Sequence, residues 1–395
     1  MGSDVFEKCF NFKAANDLRI KGFYPYFHKV GSVQGPEVMV DGEKKVVVCS
    51  NNYLGLANHP KVIEASIAAM KKYGTSCTGS RFLNGTNDLH EKVERKFAKF
   101  VSKEEAILFT TGHHSNLGAI SSLVGRNEIL ITDKLDHASI IDGCHLSFGE
   151  MVRFRHNDMF DLERQIVRYK GKGILIVVDG VFSMEGDIAN LPEILRLAKK
   201  YTVRVFVDEA HSLGVIGETG KGIGEYFNIG DDIDVLMATA SKSLASIGGF
   251  IASKAEVVDY IRHNARTMIF TASLPPACVG AIDAALDLVV AEPERRARLM
   301  KISKKMKSAF QAMGYDTGHS QSPVIPLFVG SDLIAFKMWR MLFDEGVFAS
   351  PVVTPAVQEG RSIIRTSYMA THSDDNLDFI LEKFEKVGKQ FNILA

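Results

Sequence analysis

From about residue 104 onward the chain alternates short, β-branched apolar runs with longer stretches in which apolar residues recur at helical spacing. The runs Glu105 to Thr110, Glu128 to Thr132, Gly173 to Val178, Val203 to Val207 and Val235 to Thr239 lack the in-out alternation of half-exposed strands. They predict a parallel sheet covered on both faces. Between them, Leu89, Val93, Phe97 and Phe100 place one apolar stripe on a helix from Leu89 to Val101, with Asp88 and Glu91 resembling a capping box. Pro275 and Pro276 suit the first turn of a helix ending near Ala291, and Pro293 lies before another that runs to Gly314. Further on, strands near Ile325 to Val329 and Ile363 to Thr366, with helices from Asp332 to Glu345 and from Asp374 to Phe391, read as a smaller α+β unit. The expected organisation is α/β: an N-terminal arm at 1–50, a large domain at 51–280 and a small C-terminal domain at 281–395. The arm is dense in aromatics, Phe6, Phe10, Phe12, Phe23, Tyr24, Tyr26 and Phe27 among them, without clean periodicity. Packing on the body or on a second subunit is the favoured reading, and a peripheral contact with a membrane surface or acyl chain the minor one.

Composition narrows the function classes. With 395 residues, 46% of them hydrophobic, the chain has enough apolar matter for a large core. Its 47 basic and 47 acidic residues cancel, and no run of five like charges occurs, so no broad nucleic-acid footprint is expected. The aliphatic runs are far shorter than the roughly 20 residues of a transmembrane helix. Phe6 stands where the N-myristoylation pattern starting at Gly2 needs Ser or Thr, and no apolar signal core follows, so neither export nor a lipid anchor is expected. Five cysteines form no metal-binding spacing and suit reduced thiols in the cytoplasm.

The most informative stretch is Val205-Phe206-Val207-Asp208-Glu209-Ala210-His211, an apolar strand that delivers an acid and then an imidazole at its C-terminal end, where open α/β sheets bind ligands. An Asp after a strand is also a common helix cap. Asp208 to His211 also spells a helicase motif, but the phosphate loop such a motor needs upstream is missing. About thirty residues later the run Val235 to Thr239 leads into Thr239-Ala240-Ser241-Lys242-Ser243 and the small residues Gly248-Gly249. Taken alone Lys242 reads as an ordinary exposed lysine, but beside the other elements a lysine between hydroxyls at a strand end suits an amine that bonds a carbonyl cofactor, with the hydroxyls beside its phosphate.

Together with Ser50-Asn51-Asn52-Tyr53, Gly79-Ser80-Arg81, Asp136-His137-Ala138-Ser139, Ser183-Met184-Glu185-Gly186-Asp187 and Ile364-Arg365-Thr366-Ser367, these motifs resemble, nearly end to end, the α-oxoamine synthases. These are fold-type-I enzymes dependent on pyridoxal 5'-phosphate. The resemblance implies a mostly parallel seven-stranded sheet and four catalytic groups: Lys242 bonding the cofactor and moving the Cα proton, Asp208 pairing with the pyridine nitrogen, His211 at the ring oxygen and His137 on the ring face. It implies phosphate contacts from Gly112, His113, Thr239 and Ser241, and from Thr271 reaching into the neighbouring subunit of a homodimer with shared sites. The family usually has an aromatic where this chain has His113, so only a backbone role carries over. Asn52, Ser183 and Arg365 match positions that hold the amino-acid substrate, with Ser183 also beside the cofactor.

The activity so implied is decarboxylative condensation of an amino acid with an acyl-coenzyme A. Ser241-Lys242-Ser243 favours L-serine with a long-chain acyl-coenzyme A over glycine or alanine, whose enzymes usually show Gly-Lys there. Regulatory subunits that have lost the lysine form a non-enzymatic alternative, against which Lys242, Asp208, His211 and His137 all stand. No metal is expected.

Overall fold

The computed structural model describes residues 4–391 and residue 393. The Gly2 position of the N-terminal motif therefore lies outside the described residues. Strands β1 (Glu37–Val40) and β2 (Glu43–Val47) form a hairpin ahead of the large sheet. That sheet contains β3 (Glu105–Phe109), β4 (Ile129–Asp133), β5 (Glu150–Phe154), β6 (Ile174–Asp179), β7 (Arg204–Asp208), β8 (Val235–Thr239) and β9 (Gly249–Ser253). Their spatial order is β3-β9-β8-β7-β6-β4-β5, and β9 alone runs antiparallel to its neighbours. Successive residues face opposite helical layers: Ile129 and Ile131 enter one core cluster while Leu130 enters the other, all fully buried. This two-sided burial explains the uninterrupted apolar runs.

Two strands lack that signature. β5 is an edge strand whose residues are mostly part-exposed, so Glu150 and Arg153 break the apolar pattern. β9 opens on Gly249, after Gly248, and reads as a loop; the glycine is there because a helix begins against it. A Cβ at Gly249 would lie 2.7 Å from the amide nitrogen of Gly112, closer than packing allows.

Helix Asp88–Phe100 starts one residue before the expected Leu89, and its capping box is Asn87 with His90 rather than Asp88 with Glu91. The Asn87 side chain accepts from the His90 amide at 3.0 Å, and His90 Nδ1 receives the Asn87 amide. Imidazole replaces the usual Glu, which hid the box.

The C-terminal sheet holds β10 (Val324–Gly330), β13 (Ser362–Ser367) and β12 (Ser350–Val352) in that order, while β11 (Val347–Phe348) pairs instead with β2. Residues 37–47 are thus sewn to the C-terminal part, and the expected boundary at 280 falls inside helix Pro276–Ala291, which packs along helix Pro60–Tyr73. The arm's short helices Glu7–Phe10 and Ala14–Ile20 bury no residue, and Phe10, Phe12 and Phe27 are exposed. Those two helices are therefore not packed into the body of the same chain, whereas Phe23 and Tyr24 are half-buried and the His28 ring lies against Trp339 and Phe343. Among the described residues no helix is long and apolar enough to cross a membrane.

Candidate active site

The C-terminal ends of β4, β6, β7 and β8 converge on a cavity of about 330 Å³. It is lined by Lys242, Asp208, His211, His137, Gly112, His113, Thr239 and Ser241, and also by Asp179 and Ser139. Asp208 ends β7 and is buried. Its carboxylate receives the Asn116 side-chain amide at 2.7 Å and the Ala210 backbone amide at 2.9 Å. Asn116 also donates to Ser139 Oγ at 2.8 Å, while its own carbonyl oxygen is buried without a partner.

Burial drives the Lys242 amine down to about 8, Arg365 pushes the same way, and Asp208 and Asp179 only partly offset them. The amine is therefore available as a free base near neutral pH. His211 is held well below its ordinary value by burial, with Lys242 and Arg365 adding to the effect, so its imidazole is neutral. Its Nδ1 lies 2.7 Å from the hydroxyl of the fully buried Tyr53. His137 is the N-cap of helix Ala138–Leu146, its Nδ1 2.8 Å from Ser139 Oγ.

On the other side of the cavity, helix Gly112–Leu123 begins with Thr111 as its cap, the Thr111 hydroxyl accepting from the His114 amide. Thr239 and Ser241 hydroxyls lie 2.9 Å apart beside that helix start, and a Cβ at Gly112 would lie 2.8 Å from Thr239 Oγ1. Free amides at a helix N-terminus and two hydroxyls make an anion cradle. The His113 ring is exposed at the cavity margin and lies 3.6 Å from Asp142.

Arg365 on β13 reaches across from the C-terminal sheet. It donates through Nε to the Ser183 carbonyl at 2.7 Å and through a terminal nitrogen to Asn51 Oδ1 at 3.2 Å. Asn52, expected at the amino-acid substrate, is buried and accepts from the Ala57 amide at 3.3 Å through Oδ1, while its neighbour Asn51 meets the arginine. Thr271 does not line the cavity of its own chain; it precedes the bridge between Ser80 and Ala272, beside the exposed Leu83 and Phe270.

Asp179, Tyr53, Asn116 and Asn51 escaped the sequence reading. Asp179 carried a usable signal, since it ends an apolar strand just as Asp208 does. The loop bearing Ser183 is anchored by His156, which sits 3.0 Å from both Asp133 Oδ1 and Asp187 Oδ2. Burial alone would lower the His156 pKa, but the two carboxylates override it and raise it to about 10. The folded state therefore binds this proton more tightly than the unfolded chain. Its contribution is fully present below the unfolded value near 6.5 and is lost as pH rises toward about 10. The difference in Tm between wild type and His156→Gln should be largest at or below pH 6.5 and close by pH 10. A difference that stays constant or widens in thermal melts across that range would refute the imidazolium clamp.

Comparison with known proteins agrees with this architecture. The family model for aminotransferase class I and II matches residues 43–384. A serine palmitoyltransferase of Sphingobacterium spiritivorum is 47% identical over 98% of this chain and 97% of its own length. An 8-amino-7-oxononanoate synthase of Thermoanaerobacter pseudethanolicus is 39% identical over 99% of this chain and 100% of its own. Among solved structures, the serine palmitoyltransferase of Sphingomonas wittichii is 35% identical, covers both chains fully and superposes with a TM-score of 0.96. A high-resolution structure of SPT with PLP gives the same score at 34% identity, covering 99% of this chain and 100% of that one. The chain belongs to the class I and II aminotransferase family, in its α-oxoamine synthase branch of fold-type-I, pyridoxal-phosphate-dependent acyltransferases.

Proposed function

We propose that this protein condenses L-serine with a long-chain acyl-coenzyme A, palmitoyl-coenzyme A as the reference substrate, releasing coenzyme A and carbon dioxide and forming 3-oxosphinganine. The observation that carries this reading is the 47% identity, over nearly the full chain, to a serine palmitoyltransferase.

The residues lining the cavity fit pyridoxal phosphate: an amine with a depressed pKa, a buried carboxylate, a neutral imidazole and an anion cradle. When bound, that group supplies the electron sink for charge left on the amino-acid α-carbon. Lys242 then takes and returns the Cα proton; with a pKa of about 8, about a quarter of such amines are free at pH 7.5, against about one in a thousand for an ordinary lysine. Asp208 would pair with the pyridine nitrogen and favour its protonated form, and neutral His211, steadied by Tyr53, would donate toward the ring oxygen. His137, which lines the cavity, would cover one face of the ring. Gly112 and His113 amides with the Thr239 and Ser241 hydroxyls take the phosphate. Arg365, braced by the Ser183 carbonyl and Asn51, meets the serine carboxylate, for which its forked guanidinium is suited. Ser183 would lie beside the cofactor, and Asn52 and Ser183 would join Arg365 in holding the amino-acid substrate.

The enzyme acts as a homodimer with shared sites, Thr271 serving the phosphate of the neighbouring subunit. Support comes from the exposed apolar Leu83 and Phe270 next to Thr271, and from the uncovered aromatic arm, which a second subunit would bury.

The test is a matrix of the purified, cofactor-loaded protein against L-serine, L-alanine and glycine, each with palmitoyl and shorter acyl thioesters. Serine with palmitoyl-coenzyme A should lead by at least about tenfold in kcat/KM, a difference of about 1.4 kcal/mol. A preference for alanine with a shorter thioester would transfer the assignment to the oxononanoate synthases.

A further inference from the structure

Asp179 is absent from the roles assigned above, yet it stands at the end of β6 in register with Asp208 at the end of β7. It is buried and lines the cavity. Its Oδ2 receives the backbone amide of His137 at 2.8 Å. Its own amide donates at 2.8 Å to Asp136 Oδ1, and the other oxygen of Asp136 receives the Asp133 amide at 2.7 Å. The two carboxyls thus staple β4 to β6 reciprocally: Asp136 holds the Asp179 backbone, and Asp179 holds the backbone one residue beyond Asp136. His137 is the cap of its helix, so its amide is not claimed by an intrahelical bond. Asp179 supplies the acceptor that this amide would otherwise lack.

We propose that Asp179 is a positioning residue, which fixes the backbone of His137 and so sets where the imidazole stands over the cavity. The inference rests on reading this cavity as the catalytic site. Burial and the neighbouring Asp208 raise the Asp179 pKa well above that of an ordinary carboxyl, and the contacts that carry its role are those of its Oδ2 with the His137 amide and of its own amide with Asp136. Loss of such a contact should lower kcat about ten- to a hundredfold, with little change in the KM for serine.

Three measurements separate positioning from simple structural support. Asp179→Ala should speed hydrogen exchange at the His137 amide at least about tenfold in cofactor-free protein, and Asp179→Asn, which keeps an acceptor oxygen, should restore both exchange and most of kcat. In a His137→Ala background the further loss from Asp179→Ala should fall below about threefold, because residues that act through one another are not additive. The proposal is overturned by unchanged exchange at His137, by an Asn variant as poor as Ala, or by an undiminished loss in the His137→Ala background. Exchange is read without cofactor or substrate, so a wrong assignment of the reaction would leave that result standing.

Discussion

Replacing Lys242 with alanine should abolish turnover, by at least about a thousandfold, while leaving the fold and its melting temperature nearly intact. The amine sits where β8 gives way to small residues, and its neighbours are arranged around its charge rather than its bulk. Burial lowers its pKa to about 8, which it could not maintain as an ordinary surface cation. General acid–base transfer by one placed group supplies about 10²–10⁴ in rate, and in the proposed role this lysine would also bond the cofactor, so the loss should reach the upper part of that range. Borohydride should fix the cofactor to the peptide carrying Lys242 in the wild type and to no peptide in the variant. Recovery of the adduct on any other lysine would sink the assignment, as would a folded variant retaining a tenth of the activity.

Asp208→Asn should lose about a hundredfold or more in kcat without losing the fold. The carboxylate already accepts from Asn116 and from the Ala210 amide. An asparagine can keep the Ala210 bond with its oxygen, and its amide NH2 can donate to Asn116, whose carbonyl oxygen is buried and unpaired, through rotation of that side chain. Packing is preserved, whereas the negative charge that would hold a pyridine nitrogen protonated is removed. A charge-assisted bond is worth about 1.5–3 kcal/mol, about one to two powers of ten, and loss of the electron sink adds to it. The decisive readout is exchange of the serine α-proton in cofactor-loaded protein. Near-normal exchange would reduce Asp208 to a cap.

These two residues were legible in the sequence because each stands at the end of an apolar strand, where periodicity and residue type coincide. Asp179 satisfies the same rule, at the end of the run Gly173 to Val178, but lacks the imidazole that follows Asp208 three residues on. Tyr53 and Asn51 had no such mark. They reach His211 and Arg365 through contacts spanning 158 and 314 positions, and local pattern does not encode pairings of that range. The parallel strands of the sheet were readable because both their faces are buried; β5 and β9 were not, since an edge strand tolerates charge and a strand that opens on glycine looks like a turn. The small-domain helices were found almost to the residue, being capped and strongly periodic.

The pairing of β2 with β11 has a bearing on how the protein is made. Val46 cannot meet Val347 until the ribosome has added about 300 further residues, and Val48, Tyr53 and Val47 wait still longer for Ser367, Ala370 and His372. Contacts of such sequence separation carry a closure entropy that slows folding. The segment holding Asn51 and Tyr53 is therefore among the first to emerge and among the last to be fixed. A nascent chain can build the large sheet, with Lys242 and Asp208 in place, before Arg365 and its Asn51 and Ser183 contacts exist, so that side of the pocket is assembled only after β13 has been made.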